Sequence, residues 1–345
     1  MKLVVLNNMV PGLHGGAEEL ANHLVSNLRA AGHEAELIGI PFSWDPANRL
    51  VEEMLLCKSM RLDNVDRVIA LKFPAYLLPF DNKVIWLLHQ FRQAYDLWDA
   101  GYSNIPATPE GEAIKAAIVN ADNACFEGAR AIFTVGREVT ERLRHYNGFQ
   151  SSVLRAPLND EHLFENAGYG DYIFAGGRIN SSKRQYRLVE AMAQVKSDAK
   201  LIIAGPADSP ADREQVVSLV ARHGLEHRVT LDVGFHSREK IANYVNGALA
   251  CAYLPFQEDS YGYVTMEACQ ASKCVITVAD SGDVLEIVRE GETGFVCADE
   301  TSEIAATLDR AWLQRDRTIE LGKAAREAWL AAGINWQTTI AKLTA

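Results

Sequence analysis

Short apolar runs alternate with stretches whose apolar residues recur every three or four positions, from one end of the chain to the other. The run at 3–6 predicts a first strand. After it, Ala17, Leu20, Ala21, Leu24, Val25 and Leu28 follow the spacing of one helical face. Strands follow at 35–40, 68–71 and 84–88, with a helix at 50–62 between the first two. A helix over 111–128, a strand over 131–135 and a helix over 137–146 close the first block. The pattern then restarts. Strands are predicted at 172–175, 201–204, 229–232, 250–254 and 275–278, with helices between them, the first starting near Lys183. From about Ser302 the chain reads as helix, with a break near Gly333.

Strands alternating with helices predict parallel sheets covered on both faces. Two blocks of similar length predict two doubly wound, Rossmann-like α/β domains. The boundary falls in 156–171, APLNDEHLFENAGYGD, where a proline, two glycines and several acids stand with little periodicity. We divide the chain into 1–160, 161–330 and a last helix within 331–345. In open α/β sheets ligands bind at the carboxyl ends of the strands. Two such sheets facing each other predict a site in the cleft between them. The polar residues just after strands are therefore the ones to weigh.

Composition narrows the function classes. The chain has 345 residues, 48% hydrophobic and 23% charged, with a formal net charge of −11. An acidic balance of this kind argues against nucleic-acid partners, which need a basic face. Six cysteines form no C-x-x-C pair and stand mostly in apolar surroundings, as reduced thiols of a cytoplasmic protein do. No window has eighteen consecutive apolar residues, and the N-terminal run reads as a strand and not as a signal peptide. The segment 50–62, LVEEMLLCKSMRL, reads as a core helix or as a helix lying on a membrane surface.

The first strand leads into NNMVPGLHGGAEEL, in which Gly15 and Gly16 precede a helix. Such a turn lets a ligand approach the backbone and the helix start favours an anion, or it is simply a glycine turn. Neither G-x-G-x-x-G nor G-x-x-x-x-G-K-[ST] occurs, which speaks against a nicotinamide dehydrogenase and a P-loop kinase. His89 follows the run 84–88 and reads as a ligand donor or as a satisfied histidine. Arg92 and Tyr95 lie one helical turn apart. They line the same cleft, or make a salt bridge and a packing contact. Arg178 directly follows Gly176 and Gly177, and Lys183 comes five residues later; two cations beside a helix start suit a diphosphate. Gly205 closes the strand at 201–204. The segment 258–268, EDSYGYVTMEA, follows the strand at 250–254. Its helix starts near Gly262 or Tyr263, so Asp259 and Ser260 cap it or hold a ligand, and Glu267 lies one turn past Tyr263.

These residues together resemble the retaining glycosyltransferases of the GT-B fold, of the large family-four type (glycosyl transferases group 1). That family's second domain carries a carboxylate, seven residues, then a glutamate, around an aromatic–glycine–aromatic or aliphatic centre. Here Tyr261, Gly262, Tyr263 and Val264 match the centre, and Glu267 the end. Asp259 stands at the family spacing, and Glu258 stands one residue further out. GGRINSSK resembles the glycine–arginine–leucine–x–x–x–lysine segment, and Gly15, Gly16 and Glu18 resemble the N-terminal glycine–glycine–x–glutamate. Glu286 and the run Gly291, Gly294, Phe295 resemble downstream blocks, although Gly282-Asp283 and Leu285 depart from the usual glycine–glycine and proline. Gly136 stands where the family has a serine, and Trp336 matches an aromatic of a last helix that crosses back to the first domain.

The resemblance implies transfer of a hexose from a UDP- or GDP-linked sugar, with retained anomeric configuration, to a glycan or glycolipid acceptor in surface polysaccharide biosynthesis. Its alternatives are a non-catalytic nucleotide-sugar-binding module, or another GT-B chemistry such as an epimerase. It implies that Arg178 and Lys183 neutralise the diphosphate and that Glu267 holds the ribose hydroxyls. Asp259 or Glu258 meets the sugar, with amides near Tyr263, Val264 and Thr265 assisting. His89 faces the sugar, Gly16 lets the loop approach the donor, and the loop holding Phe235 and His236 lies against the base. Arg92 and Tyr95 fall on the acceptor side. No cofactor or metal is implied, and the chain has no D-x-D triplet. Peripheral contact with the inner membrane face is an expectation of the same kind.

Overall fold

The computed structural model describes residues 1–10 and 15–345. The chain divides into two units, Met1–Pro157 with Asn335–Ala345, and Leu158–Ile334. Each is built on one parallel sheet of six strands.

In the first unit the strands are β1 (Lys2–Met9), β2 (Glu34–Pro41), β3 (Arg67–Lys72), β4 (Lys83–His89), β5 (Ala131–Thr134) and β6 (Ser152–Val153), in the order β2-β1-β3-β4-β5-β6. Five residues of β3 and six of β4 are buried in unbroken succession, as strands covered on both faces require. The edge strand β2 is largely exposed and keeps only Ala35 and Ile40 inside. The helices are α1 (Gly16–Ala30), α2 (Leu50–Ser59), α3 (Asp96–Asp99), α4 (Pro109–Glu127) and α5 (Arg137–Asn147). Thr108 caps α4, accepting from the Gly111 N–H at 3.2 Å, and Pro109 follows at the position that tolerates it. The final helix, α12 (Trp336–Thr344), completes this unit. Trp336 meets Trp86 edge to face at 6.4 Å, and Arg67 Nη1 donates to the carbonyls of Leu343 and Ala345 at 3.2 and 2.8 Å.

The second unit holds β7 (Ile173–Gly176), β8 (Leu201–Gly205), β9 (Val229–Val233), β10 (Ala250–Ala252), β11 (Cys274–Val278) and β12 (Gly294–Cys297), in the order β12-β11-β10-β7-β8-β9. Its helices are α6 (Gln185–Met192), α7 (Pro210–Arg222), α8 (Arg238–Gly247), α9 (Tyr263–Gln270), α10 (Thr301–Leu313) and α11 (Arg315–Ala331).

Three differences from the sequence expectation have physical reasons. β6 and β12 were not expected: β6 has two residues, both exposed, and β12 opens on Gly294 and buries only two of its four residues. β10 stops two residues early, at Ala252, shortly before Pro255, which has no N–H for a ladder. α6 begins at Gln185 and not near Lys183, because Arg184 is left-handed at φ 56°. Its guanidinium is buried on the carbonyls of Leu254 and Pro255 and on Asp280 and Asp299, which outweighs helix propensity there.

All six cysteines are free, and Cys57, Cys251, Cys269 and Cys274 are buried. Among the described residues no helix is long and apolar enough to cross a membrane.

Candidate functional site

In the second sheet the chain runs outward from β7 through β8 to β9, then returns to lay β10 on the other side of β7. The order reverses between β7 and β10, and that is where a crevice opens in such sheets. The segments after these two strands meet there. Lys183 Nζ donates to the Tyr253 hydroxyl at 2.9 Å and pairs with the Glu258 carboxylate, which also accepts from the Tyr253 hydroxyl at 2.9 Å. Burial works against the ammonium, but the charge of Glu258 and the Tyr253 hydroxyl outweigh it and push Lys183 above the ordinary lysine range. Lys183 is therefore a fixed cation at neutral pH.

Of the two candidate acids, Glu258 meets this cation. Its backbone bridges to Gly282, and its carbonyl accepts from the Asp283 N–H at 3.0 Å, which ties the segment after β10 to the one after β11. Asp259 is half-buried one residue on. Neither acid caps α9. Its N-cap is Gly262, with no side-chain cap, and Ser260 Oγ accepts from the Gly262 N–H at 3.3 Å. Gly262 has φ 72°, and a Cβ there would stand 2.7 Å from Tyr253 Cε1, so a glycine is required both by conformation and by the ring beside it. Gly205 has φ 146°, and a Cβ on it would overlap the Gly177 carbonyl. Gly177 in turn faces Val264 of α9, its Cβ position lying 3.3 Å from Val264 Cγ2. The ends of β7 and β8 and the start of α9 are thus closely packed. The first turn of a helix leaves N–H groups without intrahelical acceptors, so this corner joins a fixed cation to a helix start, a combination that suits an anion.

Glu267, in the second turn of α9, is buried, and its Oε1 accepts from Arg238 Nη1 at 2.6 Å. Burial pushes its carboxyl up, while the Arg238 charge opposes that. Tyr263, one turn earlier, accepts through its hydroxyl from Asn159 Nδ2 at 3.1 Å. Thr265 is buried, and its Oγ1 has no hydrogen-bond partner among the described residues.

The remaining predicted residues are placed as follows. Arg178 is exposed and donates to Asp208 at 3.1 and 3.2 Å. An exposed pair of this kind is worth about 0–1 kcal/mol, so an incoming dianion can displace it. Phe235 is 73% exposed at the end of β9, while His236 Nε2 lies 2.8 Å from the Asp232 carbonyl.

In the first unit, His89 Nδ1 lies 2.7 Å from the Gln90 carbonyl and must donate to it. Gly15 donates its N–H to Glu18 Oε2 at 2.9 Å, and Gly16 opens α1. One N–H at the start of α1 is thus met by the helix's own acid. The rest of that loop, 11–14, lies outside the described residues. Arg92 pairs with Asp96 at 2.6 Å, and Tyr95 is buried with its hydroxyl on Asp122 at 2.7 Å. For both, the salt-bridge and packing reading is what the structure gives.

Sequence reasoning passed over Arg238, Tyr253 and Arg184. Tyr253 and Arg238 follow β10 and β9 closely, and that position is the signal that could have found them. Among the described residues no group of three or more His, Cys, Asp or Glu is placed to hold a metal ion. A separate cavity of about 540 Å³ in the second unit, lined by Glu290, Cys297, Thr307 and Arg310 among others, contains none of the predicted site residues.

Residues 164–328 match the family described as glycosyl transferases group 1. No curated protein matches the sequence. Among solved structures, a sucrose-phosphate synthase from Thermosynechococcus elongatus is similar at TM-score 0.76 and 19% identity, over 100% of this chain and 98% of that one. HepE from Anabaena, solved in complex with UDP-glucose, is similar at TM-score 0.75 and 16% identity, over 100% and 98%. WaaG, a glycosyltransferase involved in lipopolysaccharide biosynthesis, is similar at TM-score 0.78 and 15% identity, over 99% of each chain. At these identities the likeness speaks for the fold. The family match spans nearly the whole second unit, which is therefore a domain of the glycosyl transferases group 1 family, and the chain as a whole has the GT-B fold of these glycosyltransferase structures.

Proposed function

We propose that this chain is a retaining hexosyltransferase that uses a UDP- or GDP-linked sugar and a glycan or glycolipid acceptor of a surface polysaccharide pathway. The observation that carries the reading is the corner at the switch point of the second sheet, where Lys183, paired with Glu258, stands in the segment leading into α6, beside the strand that leads to α9. A nucleotide diphosphate leaves as a dianion while positive charge grows on the sugar carbon. Preorganised cations and helix amides stabilise that charge separation as it forms. Lys183 and Arg178 take the diphosphate, Glu267 takes the ribose hydroxyls, and Glu258 or Asp259 takes the sugar hydroxyls. His89 is assigned to the sugar from the first unit, and Phe235 to the base. A donor phosphate oxygen takes the acceptor proton, so the reading needs neither a protein base nor a metal. UDP-glucose is the ligand of HepE, and WaaG serves lipopolysaccharide synthesis; both support the choice of donor and pathway.

A thermal-shift series with UDP, GDP, UDP-glucose and GDP-mannose tests the donor. A ligand at a hundred times its Kd adds about 2.7 kcal/mol to stability. Stabilisation by none of them overturns the reading, and a transferred sugar of inverted anomeric configuration overturns retention. Peripheral membrane contact rests on Leu55 and Leu56, which are 61% and 50% exposed on α2 near Lys58 and Arg61. Flotation with anionic vesicles, lost in a Leu55→Glu, Leu56→Glu double variant, is the expected result; a wild type that stays with the soluble fraction rules the contact out.

A further inference from the structure

Arg238 of the second unit meets a residue assigned to the donor and has itself no role in the proposed transfer. Arg238 opens α8, directly after the N-cap Ser237, and reaches across to α9. Its Nη1 donates to Glu267 Oε1 at 2.6 Å, and its Nε stands 3.6 Å from Asp160 Oδ2. The guanidinium lies over the Phe164 ring, 5.0 Å from its centroid. Asp160 and the Phe164 ring hold the guanidinium that Glu267 meets. Asn159, the neighbour of Asp160, donates to the Tyr263 hydroxyl, so α9 is anchored twice to the segment that follows Pro157.

A buried carboxylate is a poor place for a charge, and an uncompensated one takes up a proton instead. A carboxyl group in its neutral form loses acceptor capacity and gains a donor. A pair of ribose hydroxyls, both donating, needs the ionised form. We infer that Arg238 is a positioning residue of the donor site: it keeps the Glu267 carboxylate ionised and turned so that two adjacent ribose hydroxyls can donate to it. The inference rests on the assignment of Glu267 to the ribose. Arg238 of α8 is its ion-pair partner, and the Cys251 thiol of β10 is buried with its pKa pushed up, so it brings no charge at neutral pH. Asp160 stands behind Arg238 and orients it. Burial holds the Glu267 carboxyl up even with Arg238 beside it, and the Arg238 charge and hydrogen bond are what limit that rise.

The test pairs a variant with a ligand edit. UDP and GDP, each with its 2′,3′-dideoxy counterpart, are titrated calorimetrically against wild type, Arg238→Ala, Arg238→Lys and Glu267→Gln between pH 6 and 8. Wild type is expected to prefer the full nucleotide about tenfold, the worth of hydrogen bonds to a charged group, with little change across that range. Arg238→Ala is expected to shrink the preference to about twofold at pH 6, as Glu267→Gln does at any pH, and to regain it as pH rises and Glu267 ionises. Arg238→Lys is expected to restore part of it. If Arg238→Ala does not fold, Arg238→Gln, which keeps the stem and removes the charge, is read in its place. A neutral variant that keeps the tenfold preference at pH 6 overturns the inference while leaving the donor reading standing. A wild type that binds neither nucleotide, or binds both forms equally, overturns the assignment of Glu267 and the inference with it.

Discussion

At the switch point of the second sheet Lys183 meets Glu258 and the Tyr253 hydroxyl, next to closely packed strand ends and the start of α9. After β4 of the first sheet the polar residues turn on one another: His89 on the Gln90 carbonyl, Arg92 on Asp96, Tyr95 on Asp122. The sheets are alike, with six parallel strands each and a reversal of strand order near the middle. What differs is that the first unit also withdraws one polar pair wholly from water. Lys183 and Glu258 keep side-chain exposures of 19% and 18%, so a ligand can reach them. Asp122 has none, and burial pushes its carboxyl up to about 7 against the opposing pull of the Tyr95 and Tyr76 hydroxyls. Arg92 and Asp96 keep 21% each, so the contrast lies in the buried pair: the second unit holds an accessible, fixed cation, and the first has put Tyr95 and Asp122 into its core.

Lys183→Ala breaks that contrast most directly. It removes the fixed cation of the second unit, and the expected loss is about 2–4 kcal/mol of transition-state stabilisation, or about 30- to 1000-fold in turnover. The first unit is untouched, so circular dichroism and the melting of that unit should stay as in wild type. Nucleotide release from a donor sugar, measured with the donor that stabilises the protein, reads the loss. Turnover within about twofold of wild type would take Lys183 out of the mechanism and leave it a structural ion pair like Arg92–Asp96.

Much of the framework was legible because burial on both faces leaves an unbroken apolar run, as in β3 and β4. β6 was not, because two exposed residues carry no signal, nor was β12, which opens on Gly294 and buries only two of its four residues. At the site, the position of Arg178 and Lys183 just after a strand was informative on its own. The ends of the Arg238–Glu267 pair lie 29 residues apart on two helices, and only the packing of α8 on α9 brings them together. For Tyr95 the sequence left a cleft position and a packing contact both open, and the chain turned the ring inward, where it is 1% exposed. The choice between Glu258 and Asp259 depends on loop register. That register is set by Gln257 at φ 44° and by the bridge from Glu258 to Gly282, neither of which is written in residue spacing.

Asp122→Asn sharpens the other side of the comparison. The folded carboxyl titrates near 7, well above the ordinary carboxylate value, because burial disfavours its charge. Below about pH 4 both folded and unfolded chains hold the proton, and the residue costs nothing. Between about 4 and 7 only the folded chain holds it, so stability falls as pH rises through that window. Above 7 the full penalty persists. Removing the charge should therefore stabilise the first unit at pH 8 by about 2 kcal/mol and by much less at pH 5. Denaturant melts at the two pH values check this. Equal effects at both would mean that the buried acid is not what titrates there.

The smallest effect concerns the acid itself. Glu258→Gln strips Lys183 of its counter-charge and leaves the Tyr253 hydroxyl a weaker acceptor. Asp259→Asn changes a half-buried neighbour that does not meet that cation. Transfer rates should therefore fall further in Glu258→Gln, by about tenfold more, or about 1.4 kcal/mol. Steady-state kinetics on the same donor and acceptor measure the gap. A larger loss in Asp259→Asn would hand the sugar to the acid at the family spacing. Lys183–Glu258 would then be a packing pair, and the two units would differ less than their strand ends suggest.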